Sequence, residues 1–161
     1  MLGINVKIVD QEVLVNLESI PKKIHAAIEA KLDEQVALLR EKVVENLSGK
    51  VLNSKSGALI EALVSGVEKI GSGLIGFVAV ESTDQKVQAY AMAHEYGGKG
   101  SYEIVPVNKR VLRFVGKNGD IIFVPYVYHP PMPERSYLRS ALAEMAPEIE
   151  AALRDAIRDA L

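Results

Sequence analysis

The chain contains no cysteine. That excludes disulfides, a thiolate nucleophile and any cysteine-ligated metal, and it fits a reducing compartment. Net charge is also nearly missing, at −2, so no global field draws the chain onto DNA or an anionic membrane. Apolar runs are only a few residues long, far short of the ~20 that cross a bilayer. The first residues, Met1-Leu2-Gly3-Ile4-Asn5-Val6-Lys7, lack a basic region followed by an apolar core, so no signal peptide is expected. Asn46-Leu47-Ser48 matches the glycosylation pattern, and without a secretion signal it reads as chance. There is no internal repeat and no low-complexity tract.

The hydrophobic fraction of 48% and charged fraction of 25% over 161 residues are ordinary for one globular domain. A chain of this size buries roughly two thirds of its unfolded surface, enough for one core. Residues 1–161 are therefore expected to form a single domain.

Leu2, Ile4, Val6 and Ile8 alternate with Gly3, Asn5 and Lys7, a period of two that predicts a first strand. Asp10-Gln11 is the expected turn and Val13-Leu14-Val15 a short return strand. Ser19 offers an N-cap. Ile20, Ile24, Ile28, Leu32, Val36, Leu39, Val43 and Leu47 then follow at spacings of three and four. They predict a helix of about eight turns with one apolar stripe, stopped by Gly49. Charges of both signs on its other faces read as a solvated surface.

A polar loop from Lys50 to Ser56 leads to a short helix through Leu63, with Ser56 as its cap. Val64 to Ile70 and Leu74 to Val80 predict a hairpin around Gly71-Ser72-Gly73. Gln85 to Tyr96 returns to helix, with small Ala89, Ala91 and Ala93 for close packing and Gly97 to end it. Tyr102 to Val107 and Arg110 to Val115 are expected strands around Asn108-Lys109. Lys117-Asn118-Gly119-Asp120 holds the hairpin signal Asn-Gly, and Ile121 to Val124 completes the pair. Pro125 argues for a strand end. Pro130, Pro131 and Pro133 fix an extended elbow. Leu138, Leu142, Met145, Ile149, Leu153, Ile157 and Leu161 then run at helical spacing, with Pro147 expected to kink the helix or start a second one. The fold class is α+β. The long N-terminal helix and the C-terminal helix are expected to pack on one face of a mostly antiparallel sheet built from both hairpins.

The candidate chemistry is thin. Gly71-Ser72-Gly73-Leu74-Ile75-Gly76 matches the dinucleotide fingerprint, but that motif needs a helix after it to hold the pyrophosphate, and Phe77-Val78-Ala79-Val80 reads as strand. His94-Glu95 suggests a zinc protease, yet the second histidine would fall at Gly98. A metal set drawn from His25, His94, His129 and Glu95 has no supporting spacing. There is no Gly-x-Ser-x-Gly elbow. Ser48, Ser56 and Ser72 read as cap or turn serines, and no spacing favours Asp84 with Asp120 as an acid–base pair. No catalytic residue, cofactor or metal is expected. Lys99, Lys109, Arg110, Arg113 and Lys117 lie among Tyr102 and Phe114, opposed only by Glu103. That stretch reads as a solvated hairpin or as a nucleic-acid surface.

Three short motifs carry a resemblance. They are Ser56-Gly57-x-Leu59, Ala93-His94-Glu95-Tyr96-Gly97, and Pro133-x-x-x-Tyr137-Leu138-Arg139-x-Ala141-Leu142. Their order, with a strand pair between the last two, resembles the tail-completion (neck) proteins of long-tailed bacteriophages, the minor-tail-protein-Z-like family. The likeness runs from the long first helix to about Leu142; Pro131 and Ser140 stand where the family often has Gly and Pro. It implies a virion structural protein without catalysis. Its place would be the head–tail junction or the head-proximal tail end, after assembly in the host cytoplasm. It implies a homo-oligomer, a hexameric ring, meeting head–tail connector and tail tube or tail terminator proteins. No small-molecule substrate, membrane or specific nucleic acid is expected as partner. In that setting basic Lys109, Arg110 and Arg113 would meet acidic Glu148 and Glu150 of the next subunit's last helix. A small hydrolase and a small DNA-binding protein are the alternative readings.

Overall fold

The computed structural model describes residues 5–9, 12–16, 22–53 and 56–161. The expected Asp10-Gln11 turn and the Ser19 cap lie outside them. The first strands form as the alternation dictates: β1 (Asn5–Val9) pairs antiparallel with β2 (Glu12–Asn16). Helix α1 (Lys22–Leu47) follows, and every stripe residue from Ile24 to Leu47 is buried. Each such side chain contributes about 1.5–3 kcal/mol through burial. The short α2 (Ala58–Glu61) takes Gly57 as its N-cap in place of Ser56, whose hydroxyl accepts from the Ala58 N–H at 3.4 Å.

β3 (Leu63–Ile70) and β4 (Gly73–Val80) form the first hairpin, and β4 also pairs with β2. The sheet order is β1-β2-β4-β3, antiparallel throughout. On β4, Leu74, Gly76 and Val78 face inward while Ile75, Phe77 and Ala79 stay half-buried, the alternation of a sheet covered on one face. Helix α1 is the cover. A Cβ at Gly76 would sit 2.6 Å from Val36 Cγ2 and 3.0 Å from Leu32 Cδ1, so only glycine lets the helix come this close.

Helix α3 (Gln85–Tyr96) is capped by Asp84, which accepts from the Lys86 N–H at 2.8 Å. Helix α4 (Tyr137–Ala160) packs along α1, and its Leu142, Ile149 and Leu153 belong to the same buried core as Leu74 and Val78 of the sheet. The two helices run antiparallel: Asn46, near the end of α1, donates to the Tyr137 carbonyl at the start of α4 at 3.0 Å, and Lys42 reaches Glu144 at 2.7 Å. Pro147 does not start a second helix, and α4 continues through it with the ring on the exposed side. A proline there removes one backbone donor and crowds the carbonyl four residues back.

The α+β class holds, with its long N-terminal and C-terminal helices and antiparallel strands. The composition of the sheet differs from expectation. The second hairpin does not join it. β6 (Leu112–Val115) pairs only with β7 (Ile121–Val124), and β5 (Tyr102–Ile104) pairs not with β6 but with β8 (Val127–His129). The Pro125 break delivers β8 back beside β5, nesting one ladder inside the other.

Candidate functional site

From Tyr96 to Ser136 no residue is buried, although the segment is rich in Val, Ile, Phe and Tyr. This stretch is an arm. Its distal ladder places Val115 opposite Ile121 and Arg113 opposite Phe123 on one face, and Phe114 opposite Ile122 and Leu112 opposite Val124 on the other. Directly opposed residues share a face, so one face is wholly apolar and the other is apolar apart from Arg113. Strands of that kind belong between two packed layers, and an isolated two-stranded ladder is marginal in water. Yet Val107 is 91% exposed, Val115 63% and Phe123 60%. At the base, Tyr102 stacks on His129 with ring centroids 5.0 Å apart, and both line a cavity of about 490 Å³ with Met132.

The arm is also basic. Lys99, Lys109, Arg110, Arg113 and Lys117 are all exposed, and none has a carboxylate partner among the described residues. The acidic side of the expected contact is less free than the sequence suggests. Glu144 is bound by Lys42 at 2.7 Å and Lys50 at 3.5 Å, and the Lys42 ammonium holds its carboxyl below the usual range. Glu150 pairs with Arg154, and Asp155 with Arg158. Glu148 is exposed and has no cation partner among the described residues.

The arm leaves and rejoins the body at one point, where the two motifs flanking it meet. The Gly98 N–H donates to the Met132 carbonyl at 3.0 Å and the Arg135 N–H to the His94 carbonyl at 2.7 Å. Gly97 ends α3 at φ 81°, and a Cβ there would lie 3.3 Å from the Met132 oxygen. The positive φ and the close approach both demand glycine.

Glu95, 2% exposed, sits beneath the start of α4. Its Oε2 accepts from the Leu138 N–H at 2.9 Å, and its Oε1 from the Arg139 N–H at 2.9 Å and Nε at 3.1 Å. Ser136 is in the N-cap position but makes no side-chain capping bond. Glu95 satisfies the orphan donors in its place and sets a negative charge at the positive end of the helix. Arg139 closes the clamp: Nη2 donates to the Glu95 carbonyl at 2.8 Å and to Glu134 at 2.6 Å, and the guanidinium lies 4.6 Å over the Tyr96 ring. Burial, with Glu95 and Tyr96 nearby, pushes the Tyr137 phenol well up. His94, 6% exposed, meets the Tyr90 ring edge-on at 4.1 Å, and neither ring nitrogen has a partner. Burial first, then Arg135, lowers its pKa.

The other motifs find structural places. Gly71-Ser72 is the β3–β4 turn and Gly73 opens β4, so strand follows as its context required. Among the described residues no three of His, Asp and Glu converge as metal ligands. His25 lies on α1 near Glu29, His94 on α3 and His129 on β8. Asp84 caps α3 while Asp120 sits in the distal hairpin turn. Sequence reading missed two things. One is that the second hairpin stands apart, signalled by β6 and β7 lacking a polar face. The other is the Glu95 clamp, signalled by a helix start that carries Arg139 where a capping box would place an acid. No protein-family model, curated protein or solved structure matches the chain.

Proposed function

We propose that this chain is a bacteriophage virion structural protein of the tail-completion type, a subunit that works by assembling and performs no catalysis. The observation that carries the proposal is the arm. A ladder with apolar side chains on both faces, broken only by Arg113 and with none of its residues buried, is half of a core, and neighbouring subunits supply the other half. The residues behind the family resemblance agree with it. The Ala93–Gly97 and Pro133–Leu142 motifs flank the arm, and their role in this fold is to clamp its base. In this reading they are the mounting of an assembly device. The ring, the head–tail junction and the connector, tube and terminator partners follow from the resemblance.

Deleting the gene from the genome that carries it tests the proposal. Unjoined heads and unfinished tails by electron microscopy, restored by the wild-type chain supplied in trans, are the expected result. Normal virions, or no virions to complete, would overturn it. A second reading has one specific support: the unpaired arm cations lie among exposed Tyr102, Phe114, Tyr126 and Tyr128, as in surfaces that track nucleic acid. A gel shift that weakens steeply with salt would favour it.

A further inference from the structure

We propose that the loop at 105–111 of one copy docks in the groove between α1 and α4 of a second copy. This rests on the assembly reading and specifies its receptor.

The groove encloses about 420 Å³, with Leu38 and Met145 as its apolar floor. Leu38 is 37% exposed, alone among the large apolar side chains described on α1. Leu38, Glu41 and Glu45 lie three, four and seven residues apart, so they share one face of α1. Glu144 and Glu148 stand one turn apart on α4, across the groove. The carboxylates are not equivalent. Lys42 bridges Glu45 and Glu144, at 3.4 and 2.7 Å, and Lys50 reinforces both. Glu41 and Glu148 have no cation partner among the described residues. The groove therefore offers an apolar floor between two uncompensated negative charges.

The loop at 105–111 is its complement. Val107 is the most exposed apolar side chain described, at 91%, and Val111 is 41% exposed. Lys109 and Arg110 lie between them, exposed and without carboxylate partners among the described residues. Docked, the valines cover Leu38 and Met145 while Lys109 and Arg110 face Glu41 and Glu148. Both halves belong to one chain, and each lacks what the other carries, which points to a second copy as the occupant. Loop and groove are different surfaces, so the contact is head-to-tail and repeats until it closes into a ring or runs on as a filament.

The absence of cysteine makes the test clean. Arg110→Cys and Glu148→Cys would be made as separate proteins, mixed under mild oxidation and compared with a mixture of Arg110→Cys and Asp159→Cys. A disulfide-linked dimer at least ten times more abundant than in the control mixture is expected. By sedimentation, Glu41→Lys with Glu148→Lys should weaken self-association at least ten-fold, and adding Lys109→Glu with Arg110→Glu to the same chain should restore it. Circular dichroism confirms folding, which these exposed positions leave intact. If arm reversal disrupts association while groove reversal does not, and cross-linking equals the control, the groove is wrong and assembly through the arm stands. If the wild-type chain does not self-associate, or does so equally well with its arm reversed, both readings fall.

Discussion

The α1–α4 body and the arm between Gly97 and Arg135 draw on the same kinds of apolar residue, and treat them in opposite ways. In the body, Leu32, Leu47 and Leu153 are fully buried because each helix has one stripe and finds one surface for it. In the arm, Phe114, Ile122, Val115 and Phe123 decorate both faces of a ladder that, among the described residues, has no layer above or below it. The difference teaches that apolar content does not decide burial; the number of layers does. The body closes on itself, whereas the arm leaves its apolar side chains exposed, and in the proposed assembly a second molecule covers them. Stability should therefore reside in the body and its clamp, and association in the arm.

The largest effect is expected at the junction between the two. Glu95→Ala leaves two amide donors at the start of α4 without their acceptor and separates Arg139 from its partner. It should lower stability by about 3–5 kcal/mol, read as a shifted denaturant midpoint. A loss below about 1 kcal/mol would mean that the clamp is not part of the body's stability. Gly76→Ala comes next. Its methyl meets Val36 and Leu32 at 3.0 Å or less and should cost about 1–3 kcal/mol as helix and sheet are pushed apart. An unchanged thermal midpoint would show that α1 does not rest on β4 as described.

His94 gives a smaller, pH-dependent term. Its folded pKa lies below the ordinary 6.5 because the ring is buried, with Arg135 adding to the effect. The unfolded chain takes up a proton that the folded chain refuses. Its contribution is intact above about pH 6.5 and is lost as pH falls from there toward the lower folded value, by at most about 1.4 kcal/mol per pH unit. Replacing His94 with Leu should remove that slope, measured as urea midpoints between pH 7.5 and 5. Persistence of the same slope would place its origin elsewhere. The smallest stability change belongs to the arm. Val107→Ser, Phe114→Ser and Phe123→Ser together should shift stability by no more than about 0.5 kcal/mol, while self-association, measured by light scattering, is lost. A large loss of stability would erase the distinction between body and arm.

What the sequence disclosed follows the same division. The α1 stripe, the Val64–Val80 hairpin, the Gly97 stop and the Asn118-Gly119 turn were legible because each is set by local periodicity or by a backbone demand on one residue. The partner of β5 was not. Tyr102–Ile104 is equally compatible with β6 or β8, and the choice is made by a long-range closure that sets Tyr102 opposite His129 and Ile104 opposite Val127. The role of Glu95 was hidden for the same reason: its bonds to Leu138 and Arg139 span more than forty positions. The basic character of the arm was visible, but the ion pairs that neutralise Glu144 and Glu150 depend on rotamers and helix packing.

The paired hydrogen bonds at Gly98–Met132 and His94–Arg135 have a consequence for how such a chain can vary. They fasten the ends of the arm side by side, so the body experiences everything between them as a closed loop. Closing a loop twice as long costs only about 0.6 kcal/mol more. The reach of the arm can thus be lengthened or shortened with little effect on the fold that carries it. In an assembly held by that arm, the spacing between neighbours becomes an adjustable dimension, set by loop length and independent of the body.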